Sequence, residues 1–296
     1  MTKTKTTPIE KTVLRAPLGI LATATATHGT GRDDDIPLPR LPGFVESAFS
    51  PLAYEVSRRC LTERPGGGTS RSEAESGGGS RTAVALASLL GDTTTADLAS
   101  RRMVSGKVHN PLLFMQATPN SVLGHISREF GITGQMFSIS TFDDPVTELL
   151  TMADLLLEDP ELDRVLVLGV ELGGSERLAA MHRELAAGYR EPAAGHDSGA
   201  APGLPASAGL AAAVLLGRCG AGASVTVRSA ETPGPDAGPI DRPGGIQRLF
   251  DLAAAHRRLL RDGGNLLLPG PAAFVLTADT ADTADTTDDT ETHAHQ

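Results

Sequence analysis

The sequence predicts an α/β protein, a mostly parallel mixed sheet with helices on both faces, and three observations carry that expectation. Stretches that read as strands alternate with stretches that read as helices, which favours parallel pairing through crossover helices. Residues 164–172, "RVLVLGVEL", form a nearly continuous apolar run, the pattern of a strand covered on both sides. Val146, Leu149, Leu150, Ala153, Leu156 and Leu157 recur at helical spacing, so one face of a helix here is built to lie on a sheet.

The elements follow in chain order. A first strand is expected over residues 12–22, then a Pro-rich loop, "RDDDIPLPRLPG", and a helix near "FVESAFSPLAYEVSRRCL". "TERPGGGTSRSEAESGGGS" is rich in Gly, Ser and charge and reads as a flexible insertion. "RTAVALASLLGD" predicts a buried strand, and "TTTADLASRRM" a helix started by a Thr or Asp. "NSVLGHISREFG" places Val122, Leu123, Ile126 and Phe130 on one helical face and stops at Gly131, a C-cap residue. "QMFSIST" alternates as a strand. Beyond residue 172 come a helix, "SERLAAMHRELAAG", and a loose Pro/Gly segment to about residue 207. The strands "AGLAAAVLLG" and "ASVTVRS", a helix "GIQRLFDLAAAHRRLL" and a strand "AAFVLTA" close the ordered part. His182 and His256 are placed on solvent faces of their helices, among Arg and Glu.

The expected organisation is one domain over residues 1–277, with flexible insertions near 61–80 and 189–207, and a disordered acidic tail over 278–296. The tail carries six of the acids behind the formal charge of −10 and no Lys or Arg, so it has little apolar area to bury. With 40% hydrophobic residues in 296 the body can build a substantial core. The negative balance, 3% aromatics and no Trp disfavour a nucleic-acid partner. The N-terminal apolar stretch is short and interrupted by Pro17 and Gly19, which supports neither a signal peptide nor a membrane span. Cys60 and Cys219 are far apart and in no paired motif, which favours a reducing compartment, the cytoplasm by default, and calls for no metal or other cofactor.

"SISTFDDP", residues 138–145, raises the functional question, because two acids stand at a strand-to-helix elbow where many enzymes place a nucleophile. Local chemistry offers a structural answer. Asp144 can accept backbone N–H bonds as N-cap, Pro145 is preorganised for the first helical position, and an anion suits the positive end of the helix dipole. Such a cap is worth about 1 kcal/mol.

A wider stretch, "NPLLFMQATPNSVLGHISREFGITGQMFSISTFDDP" followed by an amphipathic helix and "DRVLVLGVEL", resembles the N-terminal half of a β-ketoacyl synthase. Asn120, Gly124, His125, Ile126, Gly131, Gly134, Thr141, Gly169 and Glu171 fall into that family's pattern over roughly residues 108–174. The resemblance implies a thiolase-like layered α/β/α core, truncated relative to a full ketosynthase. It also aligns the family's nucleophilic cysteine with Asp143. A condensing enzyme needs a thiolate activated at a helix N-terminus, and none of the histidines after residue 174 matches the family's two catalytic motifs.

By the same resemblance, Asn120, His125, Gly134 and Glu171 are scaffold residues. Met136, Phe137, Ser138, Ile139, Thr141 and Phe142 are expected to line a dimer seam or acyl cavity, because in thiolase-like dimers the strand before the elbow pairs across an exposed sheet edge. Arg101, Arg102 and Lys107 form a basic cluster that could meet an acidic acyl carrier protein through charge steering. Three function classes result. The first is a non-catalytic ketosynthase-like subunit, comparable in logic to chain length factors, paired with a catalytic ketosynthase as a heterodimer or with itself as a homodimer. The second is a stand-alone enzyme that hydrolyses, isomerises or decarboxylates a carrier-bound acyl chain with Asp143 or Asp144 as acid or base. The third is a plain scaffold. Membranes and nucleic acids are not expected partners.

Overall fold

Strands β1 (Leu18–His28), β2 (Thr82–Ser88), β3 (Met136–Ser140), β4 (Arg164–Leu172), β5 (Gly209–Arg218), β6 (Val225–Ser229), β7 (Gly264–Leu268) and β8 (Phe274–Ala278) build one sheet in the order β3-β2-β4-β5-β1-β6-β8-β7. The computed structural model describes residues 13–62, 79–106, 111–140, 142, 144–189, 204–205, 207–230 and 245–278. The helices are α1 (Phe49–Thr62), α2 (Thr93–Val104), α3 (Pro111–Ala117), α4 (Pro119–Phe130), α5 (Pro145–Leu156), α6 (Glu176–Tyr189) and α7 (Gln247–Asp262).

The period of two along the central strands sorts their side chains into two cores. Val165 and Val167 of β4, with Ala83 and Ala85 of β2, face α5 and α7, where Leu149, Leu150, Leu249 and Leu252 cover them. Leu166, Leu168 and Val170, with Val84 and Leu86, face α1 and α4, where Leu52, Val56, Leu123 and Ile126 cover them. The helix-sheet-helix layering expected from the sequence is therefore present. The unbroken apolar run of β4 is explained by burial on both sides, with Val165–Leu172 all buried.

Several expectations are corrected. The sheet is mixed but not mostly parallel: β3-β2-β4 is parallel, whereas β4-β5, β5-β1, β1-β6, β6-β8 and β8-β7 are antiparallel. Alternation of helix and strand does not fix direction. α6 and the chain after it bring β5 back to the end where β4 finishes, so Leu172 faces Gly209 and the strand runs backwards. The first strand lies at Leu18–His28, not 12–22, because "ATATAT" supplies the alternation, Ala22, Ala24 and Ala26 turning inward. A bulge between Ile20 and Ala22 lets Leu18 and Ile20 serve one core and these alanines the other. Strand β7 and helix α3 were not expected. β7, "GNLLL", shows no alternation, and α3, seven residues long, spans under two helical turns, so neither carries a period of its own.

His256 is also not solvated. It is 3% exposed and lies on the buried stripe of α7 with Leu249, Leu252, Ala253 and Leu259, and its Nδ1 is 3.0 Å from Thr23 Oγ1 on β1. The side chain of His182 lies outside the described residues. So do most of the two expected insertions (63–78 and 190–203) and nearly all of the acidic tail (279–296). The segment after Arg228 builds no second sheet among the described residues: β6, β8 and β7 extend the first one past β1. Among the described residues no helix is long and apolar enough to cross a membrane.

Candidate functional site

Because β2, β3 and β4 are parallel, their C-terminal tips, Ser88, Ser140 and Leu172, lie at one end of the sheet. This is the end at which open α/β sheets form ligand crevices. The elbow is there. From Ser140 the chain passes through Phe142, 45% exposed, to Asp144, which is 4% exposed.

Asp144 is the N-cap of α5 with Pro145 at the first helical position. The Thr147 backbone N–H donates to Asp144 Oδ2 at 3.3 Å, and Thr147 Oγ1 and Arg248 Nη1 donate to the same oxygen. The carboxylate is thus both a helix cap and one half of an ion pair, the side chains being 15% (Arg248) and 5% (Asp144) exposed.

Arg248 is brought there by the start of α7. Gly169 of β4 lies directly beneath that start: a Cβ on it would come within 2.6 Å of Leu249 Cδ1 and 2.8 Å of Ile246 Cγ2. The close approach sets the Ile246 N–H 3.4 Å from Oε2 of buried Glu171. At the second residue of the helix, Arg248 Nη2 donates to Ala272 O at 2.9 Å and the guanidinium carbon lies 5.9 Å from the Phe274 ring centroid. Gly270 closes the seat, since a Cβ there would fall 2.3 Å from Arg248 Cζ. Sequence reasoning missed Arg248. The available signal was an arginine in the first turn of a long amphipathic helix, at the wrong end of the dipole unless an anion meets it.

Of the other expected site residues, Thr141, Asp143 and Lys107 lie outside the described residues. Met136, Phe137, Ser138 and Ile139 form β3, which is an edge strand. Phe137 and Ile139 pack on the α5/α7 core, Met136 on the α1/α4 core. His125 sits on α4 with its ring edge-on to Phe44 and Tyr54, at 6.0 and 5.6 Å between centroids. Asn120 is exposed in the first turn of α4. Gly134 precedes β3 where a Cβ would come 2.4 Å from Thr82 O. Arg101 is exposed at the end of α2, and Arg102 pairs with Glu46 at 3.6 Å. The fold therefore brings Asp144 and Glu171 together through the start of α7, and leaves His125 and the basic cluster elsewhere.

A second acid at the strand tips is structural. Asp92, N-cap of α2, accepts from Ser47 Oγ at 2.6 Å, Thr95 N at 3.0 Å and Thr95 Oγ1 at 2.8 Å, and burial pushes its carboxyl above the usual range against those bonds. The two cysteine thiols lie on other elements than the elbow. Cys60 is buried under α1 with Sγ 3.5 Å from Ala213 O, and Cys219 is exposed beyond the far end of β5. Near Cys219 lies a groove of about 310 Å³ bordered by Arg15, Leu18, Asp154 and Arg218. Its guanidinium groups are engaged, Arg15 with Asp154 at 2.8 Å and with Glu158, Arg218 with the carbonyls of Leu157, Asp159 and Leu162. Among the described residues no group of three His, Cys, Asp or Glu could hold a metal ion.

Comparison with solved structures gives the fold as thiolase-like, of the ketosynthase type. A ketosynthase in complex with its chain length factor from Xenorhabdus doucetiae matches with a TM-score of 0.51 and 16% identity, over 89% of this chain and 100% of that chain. The ishigamide ketosynthase/chain length factor (TM-score 0.43, 14% identity, 83% and 73% of the two chains) is also similar. So is a β-ketoacyl synthase from Burkholderia phymatum STM815 (0.41, 15%, 83% and 70%). No family model and no curated protein matches the chain.

Proposed function

We propose that the chain is a non-catalytic ketosynthase-like subunit that pairs with an active ketosynthase in polyketide or fatty-acid-like biosynthesis, shaping the acyl cavity without forming bonds. One observation carries the reading. At the elbow of a ketosynthase-type fold, the buried carboxylate of Asp144 is committed to a cap and an arginine, while the two cysteine thiols sit on other elements, Cys60 on α1 and Cys219 past β5. A thioester cannot form where no thiolate is presented. The structure from Xenorhabdus doucetiae, described as a ketosynthase with its chain length factor, supports a role as the partner in such a pair.

The edge strand β3 is the surface we assign to the partner, with Met136, Phe137, Ser138, Ile139 and, past its end, Thr141 and Phe142. An unpaired edge offers a ladder of backbone donors and acceptors to a second sheet. Arg101, Arg102 and Lys107 are the surface we assign to an acidic carrier protein, with part of that charge already answered by Glu46.

The test is co-expression with a ketosynthase encoded beside this gene, followed by native mass spectrometry. A one-to-one complex is expected, and Phe142→Asp should abolish it while leaving the isolated chain's stability within about 0.5 kcal/mol, as for other exposed substitutions. A chain that stays monomeric beside the ketosynthase overturns the reading. Turnover of an acyl-carrier substrate by the purified chain, lost in Asp143→Asn, would establish the acid-base enzyme instead.

A further inference from the structure

The ladder between β2 and β4 ends at Ala87 and Gly169, while β4 runs on to Leu172. Where the strands part lies a partly open cavity of about 10 Å³ bordered by Ser88, Gly91, Thr93, Glu171 and Leu178. Thr93 is 2% exposed, and its Oγ1 has no hydrogen-bond partner among the described residues. The nearest acid cannot serve it. Asp92 is already taken by Ser47 and Thr95. A buried hydroxyl without a partner is costly, and a cavity of this size holds a single water when polar groups converge on it.

We infer that one structural water occupies this cavity, accepting from Thr93 Oγ1–H and donating to the Glu171 carboxylate. The chemistry selects water over an ion. Glu171 repels an anion, and beside Thr93 and Glu171 the wall of Ser88, Leu89, Leu90, Gly91, Val170, Leu172 and Leu178 adds one side-chain oxygen, the Ser88 hydroxyl, too few for the six or so oxygens a metal cation takes. The consequence reaches the elbow. Glu171 holds the Ile246 N–H, Ile246 opens α7, and α7 carries Arg248 to Asp144. The water therefore links the start of α2 to the seat of the elbow arginine, making Thr93 a positioning residue for it.

The experiment compares the wild type with Thr93→Val, which keeps the shape and removes the hydroxyl, and Thr93→Ser, which keeps the hydroxyl. High-resolution crystal structures should show the water in the wild type and the serine variant and its loss in the valine variant. Native-state hydrogen exchange at the Ile246 amide should be roughly three- to tenfold faster in Thr93→Val than in Thr93→Ser. A wild-type structure with that cavity empty overturns the inference, as does unchanged Ile246 exchange when the water is gone. If the valine variant does not fold, the wild-type and serine structures still decide the first point.

Discussion

Asp144 caps α5 and also pairs with Arg248, and the two roles cost different amounts when the carboxylate is changed. The Asp-Pro step before an amphipathic helix announces the cap by local chemistry alone. Arg248 is 104 residues away, and no local rule pairs the two. The difference is measurable. A cap alone predicts a loss of about 1 kcal/mol for Asp144→Ala and almost none for Asp144→Asn. With Arg248 left buried and unpaired, the alanine variant should lose about 4 kcal/mol and the asparagine variant, which still caps, about 2 to 3 kcal/mol. Urea midpoints distinguish the cases, and an asparagine variant as stable as the wild type would remove the ion pair from the account.

His256 shows the limit of neighbours in sequence: "HRRLL" suggests a solvated face, but its place three residues after Ala253 and three before Leu259 puts it on the buried stripe. Desolvation, with a smaller contribution from the nearby Arg257, depresses its pKa to about 4. An unfolded histidine titrates near 6.5, so the unfolded chain binds the extra proton first. The neutral ring's contribution is fully present above about pH 6.5 and is lost as the pH falls towards 4. It is on the order of 3 kcal/mol in full. The wild type should therefore lose stability between pH 6.5 and 4 more steeply than His256→Gln, as read from thermal midpoints across that window.

At the scale of elements, those with a period or an apolar run of their own could be read, down to the five-residue β3, β6 and β8, and β7 and α3 could not. β4 and α5 declare themselves by composition and period, because burial on two faces or one stripe demands it. β7 and α3 gain their structure from neighbours. Direction of pairing is equally non-local, which is why a run of alternating helices and strands concealed five antiparallel pairings among the described strands. Glycine marks where elements approach too closely for a side chain. Gly169→Ala places a methyl against Leu249 and Ile246 and should displace the start of α7, costing about 1 to 3 kcal/mol. Since the same start carries Arg248, that variant should also weaken the Asp144 ion pair. A double-mutant cycle with Asp144→Asn should then show a coupling of at least about 0.5 kcal/mol, and additive losses would mean that Gly169 does not set the arginine's position.

For the whole molecule, the one sheet running from β3 to β7 leaves two edges, and the elbow lies beside the β3 edge. A thiolate restored at this elbow would still lack its chemistry. Decarboxylative condensation needs groups that stabilise the charge developing on the extender carbonyl, a task for polar donors converging on the nucleophile. After residue 174 the described histidine side chain is His256, which is buried beneath α7 and bonded to Thr23. Asp143→Cys, with or without a ketosynthase-blocking inhibitor on the partner, should therefore yield no condensation product from acyl and malonyl carrier substrates by this chain. Mass spectrometry of carrier-bound products provides the measurement. Product formed by the purified variant alone would mean that the fold retains a working condensation site, and the chain would have to be regarded as an enzyme one side chain away from activity.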